Sequence, residues 1–357
     1  MLKMGIIGVG FMGFNHARVI NRIAKDYPDL VELIYVIDVN REKAASVARR
    51  YGGKPLTSIE NMKKNTIDFA IIATPTETHY DMFMKLLEKD VPYMLIEKPM
   101  TRNIEEAINM VETADKHGIK ISVGHIERFN PAVLSLLEHT AHGFLGEPIT
   151  TISRRVGPFA ARVRNTDVIY DLGIHEIDIS LSIYKRCPIK IMSYTLENLV
   201  SRLADYALII LGYDKGFSSI EVNRVTPFKQ RILYLTASKG VVHLDYMNQE
   251  LTIHTVVHDI NVRIDKEEPL YLEDLAMIRS VLNNRDFPID IYQAFTSLLL
   301  CEKSLESTKL GKEINIENDP LYQSYSDIIR KGLEGYRQYV DMIKILYPNK
   351  YSSNKNQ

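Results

Sequence analysis

Met4-Gly5-Ile6-Ile7-Gly8-Val9-Gly10-Phe11-Met12-Gly13 is an apolar run that breaks on spaced glycines and opens a helical pattern. Residues 3–7 read as a strand and 14–24 as the helix that follows. Glycines at 8, 10 and 13 allow a tight turn, close approach of backbone to a pyrophosphate, and a helix N-terminus facing that anion. A GxGxxG alone is weak evidence. Its place between strand and helix makes it a dinucleotide-binding turn, lined by Gly8, Gly10, Phe11, Met12 and Gly13.

The rhythm continues outward from that turn. Strand patterns at 31–37, 67–73, 93–96 and 119–123 alternate with helical patterns at 41–51, 80–89 and 104–117. The run at 67–73 is almost wholly apolar, as suits a parallel strand covered on both faces. This is an α/β Rossmann domain, a doubly wound parallel sheet, over residues 1–124. Strand-like runs separated by turn signals then fill 189–264, with helices at 168–184, 270–283 and 291–309. They imply an α+β substrate-binding and oligomerisation domain over 125–320, with a large, mostly antiparallel open sheet. Residues 321–357 read as a helical C-terminal extension. Tyr322, Tyr325, Ile328, Ile329, Leu333, Tyr336, Tyr339, Val340 and Ile343 recur there at helical spacing, for packing on the same chain or for a subunit interface.

Composition narrows the function classes. The chain has 357 residues, 45% hydrophobic, 25% charged, with a formal net charge of -1. That balance gives no electrostatic case for nucleic acid or an acidic membrane surface. No apolar run approaches the roughly 18 residues of a membrane span. No cleavable leader pattern is present, so a cytoplasmic location is expected. Cys187 and Cys301 read as buried free thiols. No metal-ligand pattern stands out.

Val36-Ile37-Asp38 ends the second strand, and its carboxylate suits the adenosine ribose hydroxyls, favouring NAD over NADP. Arg41 close behind could tolerate a 2′-phosphate. Thr74, Pro75, Thr76 and His79 follow a strand end on the same rim and are expected to line the cofactor groove. His79 taken alone would suit a structural histidine equally well.

Two further segments point to chemistry. Glu97-Lys98-Pro99 places a lysine at the next strand end, where a nicotinamide ring and a substrate hydroxyl could meet. Asp171-Leu-Gly-Ile-His175 sets a carboxylate and an imidazole four apart on a helical pattern, where the acid can orient the base. An ordinary helix-surface contact has the same spacing, so spacing alone leaves both readings open.

Gly8–Gly13, Ala73–His79, Glu97-Lys98-Pro99 and Asp171-x-Gly-x-His175-x-x-Asp178, in that order across roughly residues 2 to 316, resemble the successive motifs of the Gfo/Idh/MocA oxidoreductase family. The resemblance implies Lys98 and His175 at the reacting carbon with Asp171 alongside, a cofactor site that includes Glu97 and Lys98, and a lysine–proline bond that is often cis. It also implies a homodimer or homotetramer built through the second-domain sheet. Within the family, Val123-Gly-His-Ile-Glu-Arg-Phe-Asn-Pro131 and Arg154-Arg-Val-Gly-Pro-Phe159 look most like members that oxidise the 3-hydroxyl of UDP-N-acetylglucosamine and related UDP-acetamido sugars. An aminotransferase commonly consumes the 3-keto product there, so a pathway partner is expected. Arg128, Arg154, Arg155, Arg162 and Arg164 gather in a short span, and arginine forks suit diphosphate oxygens. Arg128, Asn130, Arg155, Arg164 and His175 are thus the expected substrate contacts. Two other readings stand beside this one. The first is a dehydrogenase of a free polyol or sugar; the second is a non-catalytic NAD(P)-binding regulatory protein, disfavoured by the presence of both Lys98 and His175.

Overall fold

The computed structural model describes residues 1–159 and 166–347. The chain forms two compact units. Among the described residues, the first comprises Met1–Ile126, Glu268–Ala294 and 341–347; the second comprises Glu127–Glu267 and Phe295–Val340.

The first unit holds β1 (Leu2–Ile7), α1 (Phe11–Asp26), β2 (Val31–Ile37), α2 (Arg41–Tyr51), β3 (Lys54–Leu56), β4 (Phe69–Ile72), α3 (His79–Leu87), β5 (Tyr93–Glu97), α4 (Ile104–His117) and β6 (Lys120–Gly124). Its six strands run in the order β3-β2-β1-β4-β5-β6, all parallel. The order reverses between β1 and β4, and such a switch point is where open α/β sheets bind ligands. Met4, Ile6, Phe69, Ile71, Ile72, Met94, Leu95 and Ile96 are buried at 0% exposure, which explains why these strands read as unbroken apolar runs. β3 is the one strand of this sheet that the sequence pattern does not signal: three residues at an edge, with Pro55 at its centre.

The second unit contains α5 (Pro131–Ala141), β7 (Pro148–Pro158), α6 (Ile174–Tyr184), β8 (Lys190–Glu197), β9 (Ala204–Tyr213), β10 (Gly216–Asn223), β11 (Val225–Ala237), β12 (Gly240–Asp245), β13 (Glu250–His254) and β14 (Asp259–Val262). With β15 (Ile314–Asn315) they form a nine-stranded sheet, β14-β13-β12-β11-β7-β10-β9-β8-β15, antiparallel except for β7 against β10. Alternation separates its faces. Thr151, Ser153 and Arg155 of β7 turn inward, while Ile152 is exposed and pairs directly with exposed Tyr234 of β11. Helices α5 and α6 cover the inner face.

Helix α7 (Pro269–Leu282) returns to the first unit and packs on α1. The remaining helices are α8 (Ile291–Leu310), α9 (Pro320–Ser324) and α10 (Ser326–Leu346). In α10 the residues Ile329, Tyr336, Tyr339, Val340, Ile343 and Leu346 are buried, so its apolar stripe packs on its own chain. Cys301 is buried and Cys187 is free; burial pushes the Cys187 thiol up to about 12, which makes it a poor nucleophile. Among the described residues, no helix is long and apolar enough to cross a membrane, and no cluster of metal-ligating side chains forms.

Candidate active site

The glycine turn fits a dinucleotide on its own geometry. Gly8 has φ +85°, and a Cβ there would lie 2.8 Å from Ala73 backbone. A Cβ on Gly13 would lie 1.9 Å from the Gly8 carbonyl oxygen, so helix and strand pack only without one. Around Gly10 a Cβ would meet nothing within 4 Å, which is the open approach a pyrophosphate needs. Gly10 caps α1 without a side-chain hydrogen bond, so the helix presents its backbone donors to an anion. Phe11 is 60% exposed at that mouth, with Met12 partly exposed beside it.

Asp38 follows β2. Its carboxylate accepts from Val9 N at 2.9 Å and from Asn40 N at 2.8 Å, which locks it against the glycine turn. Arg41 is exposed at the start of α2. Thr74, Pro75 and Thr76 follow β4, and Thr78 Oγ1 donates to Thr74 Oγ1 at 2.8 Å. His79 is buried, its ring between the carbonyls of Thr74 at 2.9 Å and Pro99 at 3.1 Å. Burial lowers its pKa, and the ring serves the backbone.

Lys98 sits just past β5, half-buried, and its bond to Pro99 is cis. Both neighbours of Lys98 are held. Pro99 O faces His79, and the Glu97 carboxylate lies 2.9 Å from His16 Nε2. Gly124 pairs with Glu97 across β5 and β6, and a Cβ at Gly124 would come within 3.3 Å of Glu97 Oε2.

In the second unit, Asp171 lies in one π-helical turn, Ile169–Gly173, and His175 in the first turn of α6. The single π turn replaces part of the uninterrupted helix expected over 168–184, and such turns recur at functional sites. Asp171 Oδ2 accepts from Arg224 Nη2 at 3.2 Å, and Arg224 also donates to Thr166 O at 2.7 Å. His175 is 8% exposed. Its neighbour Glu176 accepts from Arg155 Nε at 2.7 Å and from Tyr246 OH at 3.0 Å.

Arg128, Asn130 and Arg155, expected to touch substrate, are buried and paired within the protein. Arg155 is 2% exposed and donates through Nη1 to Glu127 at 2.8 Å as well as to Glu176. Burial works against its charge, but Glu127 and Glu176 outweigh that and raise its pKa. Burial likewise favours the neutral form of Glu127, but Arg155 and Arg231 hold its carboxyl below the usual carboxylate range. Arg128 is 0% exposed, with Nη1 on Ser182 Oγ at 2.9 Å, Nε 3.6 Å from Asp178, and its guanidinium over the rings of Tyr336 and Tyr339. Asn130 caps α5 and donates to Tyr246 O at 2.9 Å. Arg154 points to the opposite sheet face, paired with Glu221 and Gln230 at 2.8 Å. All four have partners from distant parts of the chain, which local spacing does not reveal. Arg162 and Arg164 lie outside the described residues.

Sequence reasoning missed His16, Glu127, Glu176, Arg224 and Tyr246. Glu127 and Glu176 sit inside the quoted motifs, beside Arg128 and His175, and that adjacency was the available signal. Nothing local marks Arg224 or Tyr246.

Residues 2–125 match the Gfo/Idh/MocA family, described as an oxidoreductase family with an NAD-binding Rossmann fold. The chain is 29% identical over 254 residues to UDP-N-acetylglucosamine 3-dehydrogenase of Acidithiobacillus ferrooxidans, covering 71% of this chain and 77% of that protein. It is 28% identical to scyllo-inositol 2-dehydrogenase (NAD(+)) of Bacillus subtilis over 64% of this chain and 68% of that one. A solved structure of the Acidithiobacillus ferrooxidans enzyme superposes with a TM-score of 0.79 at 26% identity, covering 87% of this chain and 98% of that chain.

Proposed function

We propose that this chain, which carries an NAD-binding Rossmann domain of the Gfo/Idh/MocA oxidoreductase family, oxidises the 3-hydroxyl of UDP-N-acetylglucosamine or a related UDP-acetamido sugar. One observation carries the reading: similarity to the nucleotide-sugar enzyme runs well past the Rossmann domain, over 71% of this chain, and its structure covers 87%.

Bound NAD supplies the hydride acceptor. His175 serves as the base for the hydroxyl proton and Lys98 as a hydrogen-bond donor to the substrate; loss of that proton and of the carbinol hydride leaves a ketone. Arg155 and Tyr246 hold Glu176, and through it the first turn of α6 that carries His175. Asp171, fixed by Arg224, supports the imidazolium that forms. Arg128, Asn130 and Arg155 act on substrate only through what they position.

Burial of Arg128 and Arg155 favours a second reading, a free sugar or polyol, because it removes two candidate diphosphate ligands. A panel of UDP-sugars against inositol and glucose, with NAD and an added keto-acid acceptor, separates the two by nicotinamide absorbance. We expect turnover with a UDP-acetamido sugar, lowered on the order of 100-fold or more in Lys98→Met and in His175→Ala. Near-normal turnover in both variants with NAD still bound would sink the residue assignment, and turnover with inositol or glucose alone would sink the nucleotide-sugar reading.

A second copy of the chain covers the open sheet face, giving a homo-oligomer. Support comes from Ile152, Tyr194, Leu196, Phe217 and Tyr234, all exposed and large. Light scattering should show a dimer or larger species that Ile152→Glu dissociates; a monomeric wild type refutes it. The expected 3-keto product would be consumed by an aminotransferase.

A further inference from the structure

His16 of α1 is wholly buried behind the Glu97-Lys98-Pro99 turn. Its Nε2 lies 2.9 Å from Glu97 Oε1, and its Nδ1 lies 2.9 and 3.0 Å from the two oxygens of Asp274 on α7. A neutral imidazole carries one N–H, and would aim a bare lone pair at one of these carboxylates. Only the doubly protonated ring donates to both. Burial disfavours that charge, but Asp274 and Glu97 raise the pKa of His16 well above its ordinary value. The third carboxyl facing the ring, Glu273 of α7, is buried with neither oxygen hydrogen-bonded. Burial, then the charges of Glu97 and Asp274, raise its pKa well above the usual carboxylate range. The outlying groups are accounted for: Glu268 is paired with Arg18, and burial lowers the pKa of His79 beyond Glu97.

We propose that His16, as an imidazolium, is the positioning residue for Lys98. It anchors the side chain of Glu97, the last residue of β5, and Lys98 follows directly, so holding Glu97 holds the backbone from which Lys98 extends. His16 also belongs to the helix that opens at the glycine turn. The link therefore sets Lys98 in register with the pyrophosphate-binding end of α1, a demand that catalysis by orientation makes of any group at the reacting carbon. Neither Glu97 nor Asp274 is near His16 in sequence, and the ring is wholly buried.

This rests on the reading of Lys98 given above, so the test has two arms. In the first, the full-length wild type is labelled with 15N-histidine and observed at pH 7.5; the chain has 10 histidines. One ring, absent from the spectrum of His16→Gln, should show both nitrogens protonated. A neutral tautomer for that ring overturns the proposal, whatever the enzyme's activity. In the second arm, His16→Gln should lose roughly 10- to 100-fold in kcat, with KM for NAD little changed. In the Lys98→Met background the same substitution should cost nothing further, since residues acting as one unit are not additive. An equal loss in both backgrounds shows a merely structural role and refutes the positioning link. If no substrate turns over, the functional reading fails while the first arm still decides the charge of His16.

Discussion

Glu97 and Glu176 are alike in place and opposite in setting. Each is a buried glutamate next to a catalytic candidate, Lys98 in one unit and His175 in the other. Each is held by a buried cation that arrives from a distant part of the chain: His16 for Glu97, Arg155 for Glu176. The histidine can lose its charge within the range in which enzymes work; the arginine cannot. A buried carboxylate beside a catalytic group needs a counter-ion in either unit, but only the first unit has a counter-ion that pH can remove.

Replacing the cation that cannot titrate should have the largest effect. Arg155→Met leaves Glu127 and Glu176 buried without their main partner, and breaking such a pair costs about 3–5 kcal/mol. Urea unfolding should show this loss, with Arg155→Lys recovering part of it. A change below about 1 kcal/mol would mean the two carboxylates are satisfied in some other way and would end the comparison.

The pH dependence sharpens it with a smaller effect. His16 has a folded pKa raised above its ordinary 6.5, so its contribution is complete below about 6.5 and is lost as pH rises through the raised value. Asp274 is raised too, by burial against the pull of His16, and its sign is the same. Glu127 is lowered from 4.5, so its contribution is present above that value and is lost as pH falls through the lowered one. The two clusters therefore fail at opposite ends. The limiting slope is about 1.4 kcal/mol per pH unit for each group. Thermal unfolding from pH 3 to pH 9 should show an alkaline decline that His16→Gln reduces and an acid decline that it leaves intact. An alkaline decline unchanged by the substitution would show that His16 is neutral.

The contrast between the units also explains how far the chain could be read. The six-stranded sheet was legible apart from β3, because strands buried on both faces are apolar throughout and the glycine turn has few alternatives. The mostly antiparallel second sheet was legible from its turns. The setting of Arg128 and Arg155 was not legible, for a physical reason. A guanidinium on a diphosphate and a guanidinium on two buried glutamates look the same in one dimension, and what separates them is the arrival of Glu127, Glu176 and Tyr246 from other elements. His79 was ambiguous in the same way until two backbone carbonyls were found at its ring.

By itself the sequence determined the Rossmann architecture, the dinucleotide turn and the identity of Lys98, Asp171 and His175 as candidates, because these depend on periodicity and on glycines at fixed offsets. The tertiary structure alone decided which charges are buried together. It brought α7 back to the first unit to set Asp274 against His16, and Tyr246 to Glu176 in the second. Burial makes those pairings strong, and burial is a property of the packed chain that no local stretch of residues carries.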